Sequence, residues 1–300
     1  VRDEYEALVR TIEAGGLSAA ARDLGLSPAL VSKRLARLED RLGVRLIERT
    51  TRKLEPTEAG RQFFERARAI LDAIAEAESQ VSGRLAPASG LLRVSAPTSF
   101  GRRHLAPHLK TFLDAHPELT LELNLSDAFV DLDSEGVDLA IRIAPQAEVE
   151  PDAIRLAPNR RLLCAAPAYL AARGTPTVLA DLRGHAVIAA ATQTSWRLEG
   201  PEGPVVFRAR STLRTNSSEV VREAVLTGLG VGLRSTWDVG EALASGALQV
   251  ILPQYRGAAD VAIYALRSRR RRNAPPVRAL IAFLEGLYGP QPYWDQPAGV

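Results

Sequence analysis

The sequence predicts an α/β protein in two parts. A small, basic N-terminal winged helix-turn-helix with a long helix behind it precedes a larger two-part α/β region. Three observations carry this. Apolar residues in the first 42 positions recur at helical spacing in segments broken by glycines. A heptad-like pattern then runs from Gly60 to Val81, and beyond residue 90 short β-like runs alternate with helical ones.

Bulk composition admits many functions and excludes few. The 300 residues suit two domains or one large one, and a hydrophobic fraction of 46% is ample for packed cores. Net charge is only +3, so its distribution matters more than its total. Between Pro28 and Pro56 eight basic residues face four acidic ones, which leaves +4 in one short segment. The single cysteine, Cys164, rules out an intramolecular disulfide and fits a reducing compartment. The opening Val1-Arg2-Asp3-Glu4 has no apolar stretch of the secretory kind, and no apolar run reaches membrane-spanning length. A cytoplasmic protein without membrane association is the expectation.

Tyr5, Leu8, Val9 and Ile12 mark a first amphipathic helix, stopped at Gly15-Gly16. Ser18 is expected to cap a second, closed by Gly25, and Ser27 to cap a third, with Pro28 at its first position. In the third, Val31, Leu35, Leu38 and Leu42 share the inward face. The outward face carries Ala29, Ser32, Lys33 and Ala36, flanked by Arg34 and Arg37. Two helices joined by a tight glycine turn, the second basic outward, form a helix-turn-helix whose second helix enters a DNA major groove. Small residues admit the backbone, Ser32 and Lys33 reach base edges, and the arginines hold phosphates, so Ser27, Pro28, Ala29, Ser32, Lys33, Arg34 and Arg37 are the candidate contacts. "GVRLIERTTRKLEPTEAG" then reads as strand, basic turn and returning strand. This is a wing, with Thr50, Thr51, Arg52 and Lys53 at its tip.

From Thr57 a long helix begins. Gly60, Phe63, Ala67, Ile70, Ile74, Ala77 and Val81 alternate spacings of three and four, the seam of a coiled coil. With Arg61, Glu65, Arg68, Asp72 and Glu76 opposite, the seam is expected to pair two chains, whose recognition helices then read two half-sites of double-stranded DNA. "SGRLAPASG" is a hinge-like linker. The domains read as 1–58, 59–89 and 90–300.

Residues 16–60 resemble the winged helix-turn-helix of LysR-type transcriptional regulators, in "GGLSAAARDLGLS" and "VSKRLARLEDRLGVRLIERTTRKLEPTEAG". The resemblance continues through "LRVSAPTSFGRRHLAPHLKTFLDAHPELTLEL", "EGVDLAIRIAP", "LLCAAPAYLAARGTP" and "VREAVLTGLGVGL". It implies a homodimer to homotetramer, a small-molecule effector, and a periplasmic-binding-protein-like module of two subdomains. These would be about 90–162 with 267–300, and about 163–266, separated by a cleft. The family often has glutamine at the position of Pro28 and arginine at that of Lys33, so the operator of this chain is its own.

In the C-terminal part, strands are expected at "LLRVSAP", "LTLELNLS", "VDLAIRI", "RRLLCAA", "HAVIAAA", "VVFRARS", "GVGLRS" and "ADVAIYALRS", in parallel sheets covered by helices. Ligands of open parallel sheets sit beyond the strand ends. Two strand-to-helix junctions fit: Thr98, Ser99 and Phe100 after the first strand, and Thr215, Asn216 and Ser217 in the second half. Hydroxyls, an amide and helix-start N–H groups there suit an anion, most simply a carboxylate, with Phe100 against its apolar body. Asp127 and Arg142 end neighbouring strands and could join it.

Catalytic constellations are poor. Cys164 reads as a buried inert thiol, and His104 with His108 as a surface pair interrupted by Pro107. "GLGVG" is a helix-to-strand turn, and "RSRRRRN" a solvated loop. No catalytic residue, metal site or cofactor is expected. An enzyme or a transport-type solute-binding protein on the same α/β fold remains the alternative.

Overall fold

The computed structural model describes residues 1–49, 54–82, 87–128 and 131–295. Three helices, α1 (Arg2–Glu13), α2 (Leu17–Asp23) and α3 (Pro28–Leu42), pack around Leu8, Val31, Leu35 and Leu38, all essentially inaccessible to solvent. Ser27 caps α3 by accepting from Leu30 N–H, and Gly43 ends it in the left-handed region at φ +68°. Ser18 is not a cap: α2 starts one residue earlier, with Gly16 at the capping position. Strands β1 (Ile47–Arg49) and β2 (Leu54–Pro56) form the antiparallel wing. Its tip, Thr50, Thr51, Arg52 and Lys53, lies outside the described residues.

Helix α4 (Glu58–Ser82) is capped by Thr57, whose hydroxyl accepts from Gly60 N–H at 2.9 Å and donates to Arg45 O at 2.8 Å. Gly60 is not a seam residue. A Cβ there would stand 1.9 Å from Leu46 O, so glycine lets the helix cross hard against the wing. Phe63 packs edge-on to Tyr5 of α1 with centroids 5.4 Å apart, and Ala67 is fully buried beside Val9 and Phe64. The N-terminal half of the expected seam is therefore consumed by its own domain. Only the C-terminal half is left to a partner, with Ile70 and Val81 43% and 92% exposed.

The charged face of α4 is not a solvated face either. Arg68, buried on α4, meets Glu13 of α1 at 3.4 Å and Asp138 at 3.1 Å, and its Nη2 also donates to Leu91 O. Arg271 joins from the far end of the chain: to Asp72 at 2.5 Å, to Asp138 at 3.1 Å and to Leu91 O at 3.1 Å. "RSRRRRN" is thus more than a solvated loop, because Arg271 is sealed in the junction between α4 and the C-terminal domain.

That domain holds two sheets. The first comprises β3 (Gly90–Ala96), β4 (Leu119–Leu125), β5 (Leu139–Pro145), β6 (Ile154–Pro158) and β14 (Val261–Arg267), in the order β4-β3-β5-β14-β6. The second comprises β7 (Arg161–Ala165), β8 (Val187–Ile188), β9 (Ser195–Gly200), β10 (Gly203–Arg208), β11 (Val231–Ser235), β12 (Gln249–Val250) and β13 (Arg256–Gly257), ordered β10-β9-β13-β7-β11-β8 with β12 on β7. The expectation of parallel sheets is corrected. In the first, β3 pairs in parallel with β4 and β5, but β14 is antiparallel to both its neighbours. In the second only β8 and β11 are parallel. The sequence pattern shows that strands alternate with helices, but not the direction in which the chain re-enters a sheet. The return crossing also differs. The strand at 261–267 completes the first sheet, so the chain leaves that subdomain at 159–160 and regains it at about 258–260, not near Arg267.

After β3 the chain forms a single turn, α5 (Thr98–Phe100), then a π-type turn over Gly101–Leu105 and a 3-10 turn at Pro107. It becomes regular only in α6 (Leu109–Ala115). Pro107 and the π-type turn keep this segment from forming one continuous helix. Helix α7 (Pro167–Arg173) lies on one face of the second sheet, and α8 (Ser218–Leu226) and α9 (Thr236–Ala244) lie on the other. Helix α10 (Pro275–Tyr288) seals the first core with Val277, Leu280 and Leu284. A terminal turn, Tyr293–Asp295, then doubles back onto α9. Among the described residues no helix is long and apolar enough to cross a membrane.

Candidate DNA interface and effector cleft

The helix-turn-helix presents Pro28, Ala29, Lys33 and Arg37 to solvent, with Ser32 half-buried beside them. Lys33 and Arg37 have no acidic partner among the described residues, so both cations are available to a polyanion. Two other candidates are already engaged. Ser27 spends its oxygen on the helix cap, and Arg34 is paired with Asp3 at 2.7 Å. Arg41, paired with Glu4 at 2.8 Å, is likewise held against α1. Sequence reasoning missed Glu39. It is buried, and its Oε1 accepts from Leu46 N–H at 2.8 Å and Ile47 N–H at 3.1 Å, which fixes the wing to the end of the recognition helix. Nothing in a run of alternating charges singles that carboxylate out.

In the C-terminal domain, the structure brings the two predicted junctions together: α5 abuts α8 at the mouth between the subdomains. Arg102 bridges them to Glu219 at 2.6 Å. The individual roles differ from the expectation. Thr98 N–H is taken by Asp127 Oδ1 at 2.9 Å, so that helix start already holds an anion of its own. Phe100 is no cleft wall. It is fully buried, edge-on to Trp237, Tyr288 and Trp294. On the other side, Ser217 caps α8 through Val220 N–H at 3.4 Å, and its own N–H donates to Thr215 Oγ1 at 3.0 Å. Asn216 is exposed.

Two predicted residues stand out by what they lack. Ser99 is 2% exposed, and its Oγ has no hydrogen-bond partner among the described residues. Arg142 is 4% exposed, and among the described residues its guanidinium donates to neutral oxygens: Ile141 O at 2.7 Å, Ser95 Oγ at 2.9 Å and Ala128 O at 3.4 Å. No carboxylate among the described residues pairs with it, and burial lowers its pKa while Asp127 and Glu135 partly oppose that. A buried cation without a counter-ion is costly.

The scaffold under the mouth went unforeseen. Arg234 is buried and donates to the Asp238 carboxylate and, at 3.1 Å, to both the backbone oxygen and the hydroxyl of Ser218, so an ion pair anchors the start of α8 to β11 and α9. His104, expected at the surface, is buried between the subdomains. Its Nε2 lies 2.9 Å from Trp237 O and its Nδ1 2.6 Å from Tyr293 Oη, and burial pushes its pKa down to about 4. Cys164 is the inert thiol expected, fully buried and pushed up to about 12 by desolvation.

A winged helix-turn-helix, a long helix and an α/β domain of two subdomains that meet at α5 and α8 define a DNA-binding protein with a ligand-binding module. Residues 3–61 match the bacterial regulatory helix-turn-helix protein family, lysR type, and residues 86–288 match the LysR substrate binding domain. The chain belongs to the LysR-type transcriptional regulators. It is 38% identical over 277 residues to the HTH-type transcriptional regulator DmlR of Escherichia coli K12, covering 91% of this chain and 90% of that one. With the HTH-type transcriptional activator TtdR of the same strain it shares 34% over 285 residues, covering 94% and 91%. Among solved structures, CrgA, a LysR-type regulator from Neisseria meningitidis, superposes with a TM-score of 0.61 at 29% identity over 95% of this chain and 98% of that one. The Vibrio cholerae virulence activator AphB gives 0.60 at 28%, over 95% and 98%. These relatives are regulators, not enzymes.

Proposed function

We propose that this regulator reads a two-fold related operator as a dimer or tetramer in the cytoplasm, and that a small anion, most simply a carboxylate, is its effector. The units would be a reading head at 1–58, a pairing helix and hinge at 59–89, and an effector-binding domain at 90–300. Ser32, Lys33 and Arg37 contact bases and phosphates, with Pro28 and Ala29 admitting the backbone and Thr50, Thr51, Arg52 and Lys53 reaching the adjacent backbone. Pairing uses Ile70, Ile74, Ala77 and Val81.

The observation that carries the effector reading is Arg142. A buried guanidinium bonded only to neutral oxygens gains most from an anion, and Ser99 Oγ, four residues beyond its partner Ser95, supplies an unused hydroxyl. Thr215, Asn216 and Ser217 complete the opposite wall. An effector shifts the regulator only by binding one arrangement better than another.

The test is a thermal-shift screen of small acids on the full chain. Calorimetry on Arg142→Gln then follows with the compound found, which is expected to lose most of its affinity. A neutral or cationic stabiliser, or one bound equally by the variant, would overturn the effector reading. Light scattering on Ile70→Asp and Ile74→Asp tests the pairing: an intact dimer in both variants would show that the pairing face lies elsewhere.

A further inference from the structure

Away from the mouth, the second subdomain carries a cavity of about 580 Å³ between the end of β10 and the segment leading into β8. Its floor is apolar: Leu182 and Val187 are buried, and Phe207 lies beside them. Arg183, Arg208 and Arg210 stand around it, with His185 at the side, and no acidic residue lines it. None of the three guanidiniums has an acceptor among the described residues. Other arginines of this domain are neutralised, among them Arg197 with Asp260 at 2.6 Å and Arg102 with Glu219 at 2.6 Å. Three like charges around one apolar floor repel each other, and an anion between them removes that repulsion. Val206, 58% exposed on the edge strand, extends the apolar surface at the rim.

The wall of this cavity is also the approach to the effector mouth. Directly after Arg210, Ser211 is pinned to β8: its Oγ accepts from Ala189 N–H at 3.2 Å and donates to Leu213 O at 2.8 Å. Further on, Thr215 O accepts from Ala191 N–H at 2.9 Å, immediately before Asn216 and Ser217. One short segment, tied at Ser211 and at Thr215 to the residues that directly follow β8, is cavity wall at one end and mouth wall at the other.

We propose that this cavity is a second, separate site for an organic anion with a flat or aliphatic body, coupled to the effector mouth through residues 208–217. The anionic group lies among Arg183, Arg208 and Arg210, and the body lies on Phe207 and Leu182. Both sites can be filled at once, and each ligand then alters the other's affinity by the same factor. The coupling rests on the effector reading above, but the binding does not.

The probe is anilinonaphthalene sulfonate, an aromatic anion, titrated by fluorescence into the full chain. Saturable binding is expected. The double variant Arg208→Gln/Arg210→Gln should weaken it roughly tenfold or more, the scale of one or two charge-assisted hydrogen bonds. Arg142→Gln should leave it unchanged, which separates this cavity from the mouth. Both substituted arginines are exposed, so thermal unfolding without the probe should not move. Val206→Asp, which adds a repelling charge at the rim, should weaken the probe in an otherwise unaltered chain. Unchanged affinity in both the double variant and Val206→Asp, or loss in Arg142→Gln alone, would overturn the site. A probe that binds there but leaves the affinity of the stabilising acid at the mouth unmoved in calorimetry would overturn the coupling.

Discussion

Two buried arginine sites, one at each end of the first subdomain, are built on opposite principles. At the junction with the long helix, Arg68 and Arg271 converge on Asp138, with Glu13, Asp72 and Leu91 O completing the set. At the mouth, Arg142 is as deeply buried but, among the described residues, meets only neutral oxygens. A buried charge is tolerable where its counter-charge comes from the fold. Where the fold withholds one, the site is left with an unspent preference for an anion. The difference separates a polar cluster whose charges are met within the fold from the one on which the proposed effector site rests.

The sharpest way to break the comparison is to remove the shared counter-charge. Asp138→Ala leaves two buried guanidiniums facing each other, a loss of about 3–5 kcal/mol by the usual cost of breaking a buried pair. Thermal unfolding should show a large fall in Tm, and the α4 contact should loosen with it. Arg142→Gln should cost far less, because no charge is orphaned. Equal losses in the two variants would abolish the distinction between the two sites.

The second test uses pH. His104 is neutral in the folded protein, pushed down to about 4, while the unfolded chain titrates near 6.5. Between those values the unfolded state binds the extra proton, so stability falls as pH drops from 6.5 towards 4. The full effect is roughly 3 kcal/mol, from about 1.4 kcal/mol for each unit of displacement. His104→Gln should flatten that part of a urea-denaturation pH profile. Glu13 runs the other way. Burial raises its pKa above 4.5, so its contribution favours the fold at low pH and is lost as pH rises through the folded value. A wild-type profile unchanged by His104→Gln would place the acid sensitivity elsewhere.

These two sites also show what a sequence can disclose. The helix-turn-helix, the wing strands and both cleft junctions were legible, because capping residues, glycine stops and apolar spacing are local. Ser99 is legible as the neighbour of a strand end, but Arg142, expected at one, stands in the middle of β5. What each lacks was not legible, since a missing partner is a fact of three dimensions. The junction was illegible for the same reason: Arg271 sits in a run of arginines like any solvated loop, and its partner Asp72 lies 199 residues away. Phe63 and Ala67 fit a heptad and were read outward, yet α1 lies across them, and periodicity cannot say which neighbour fills a face. His104 and Phe100 were misplaced because the terminal turn, Tyr293–Asp295, folds back to cover them.

On the DNA side, the comparison is between bound and free cations of one domain. Arg34 and Arg41 are tied to α1, whereas Lys33 has no acidic partner among the described residues. Lys33→Ala should lower affinity for the preferred operator by about 1–3 kcal/mol and relax discrimination at the base it reads. Arg41→Ala should leave base preference as it is. A gel-shift series over single-base operator variants distinguishes them, and unchanged selectivity in Lys33→Ala would remove α3 from the groove.

The smallest expected effect is the most specific. Ser99→Ala removes one hydroxyl that the fold does not use, so the protein should lose almost no stability. That sets it apart from most buried polar truncations, where a partner is left behind unsatisfied. Ligand affinity is another matter. If Ser99 Oγ donates to the anion that Arg142 attracts, its loss should cost about 1–2 kcal/mol of binding, near the value of a hydrogen bond to a charged group. Operator affinity without ligand should be retained, because the mouth is remote from α3. Asn216→Ala, on the facing wall, should give a loss of the same order if the anion spans the mouth, and none if it sits wholly on the Arg142 side. Calorimetry on the two variants with one stabilising acid decides between these geometries. A full-strength ligand in Ser99→Ala together with a thermally weakened protein would make the hydroxyl structural and return the site to Arg142 alone.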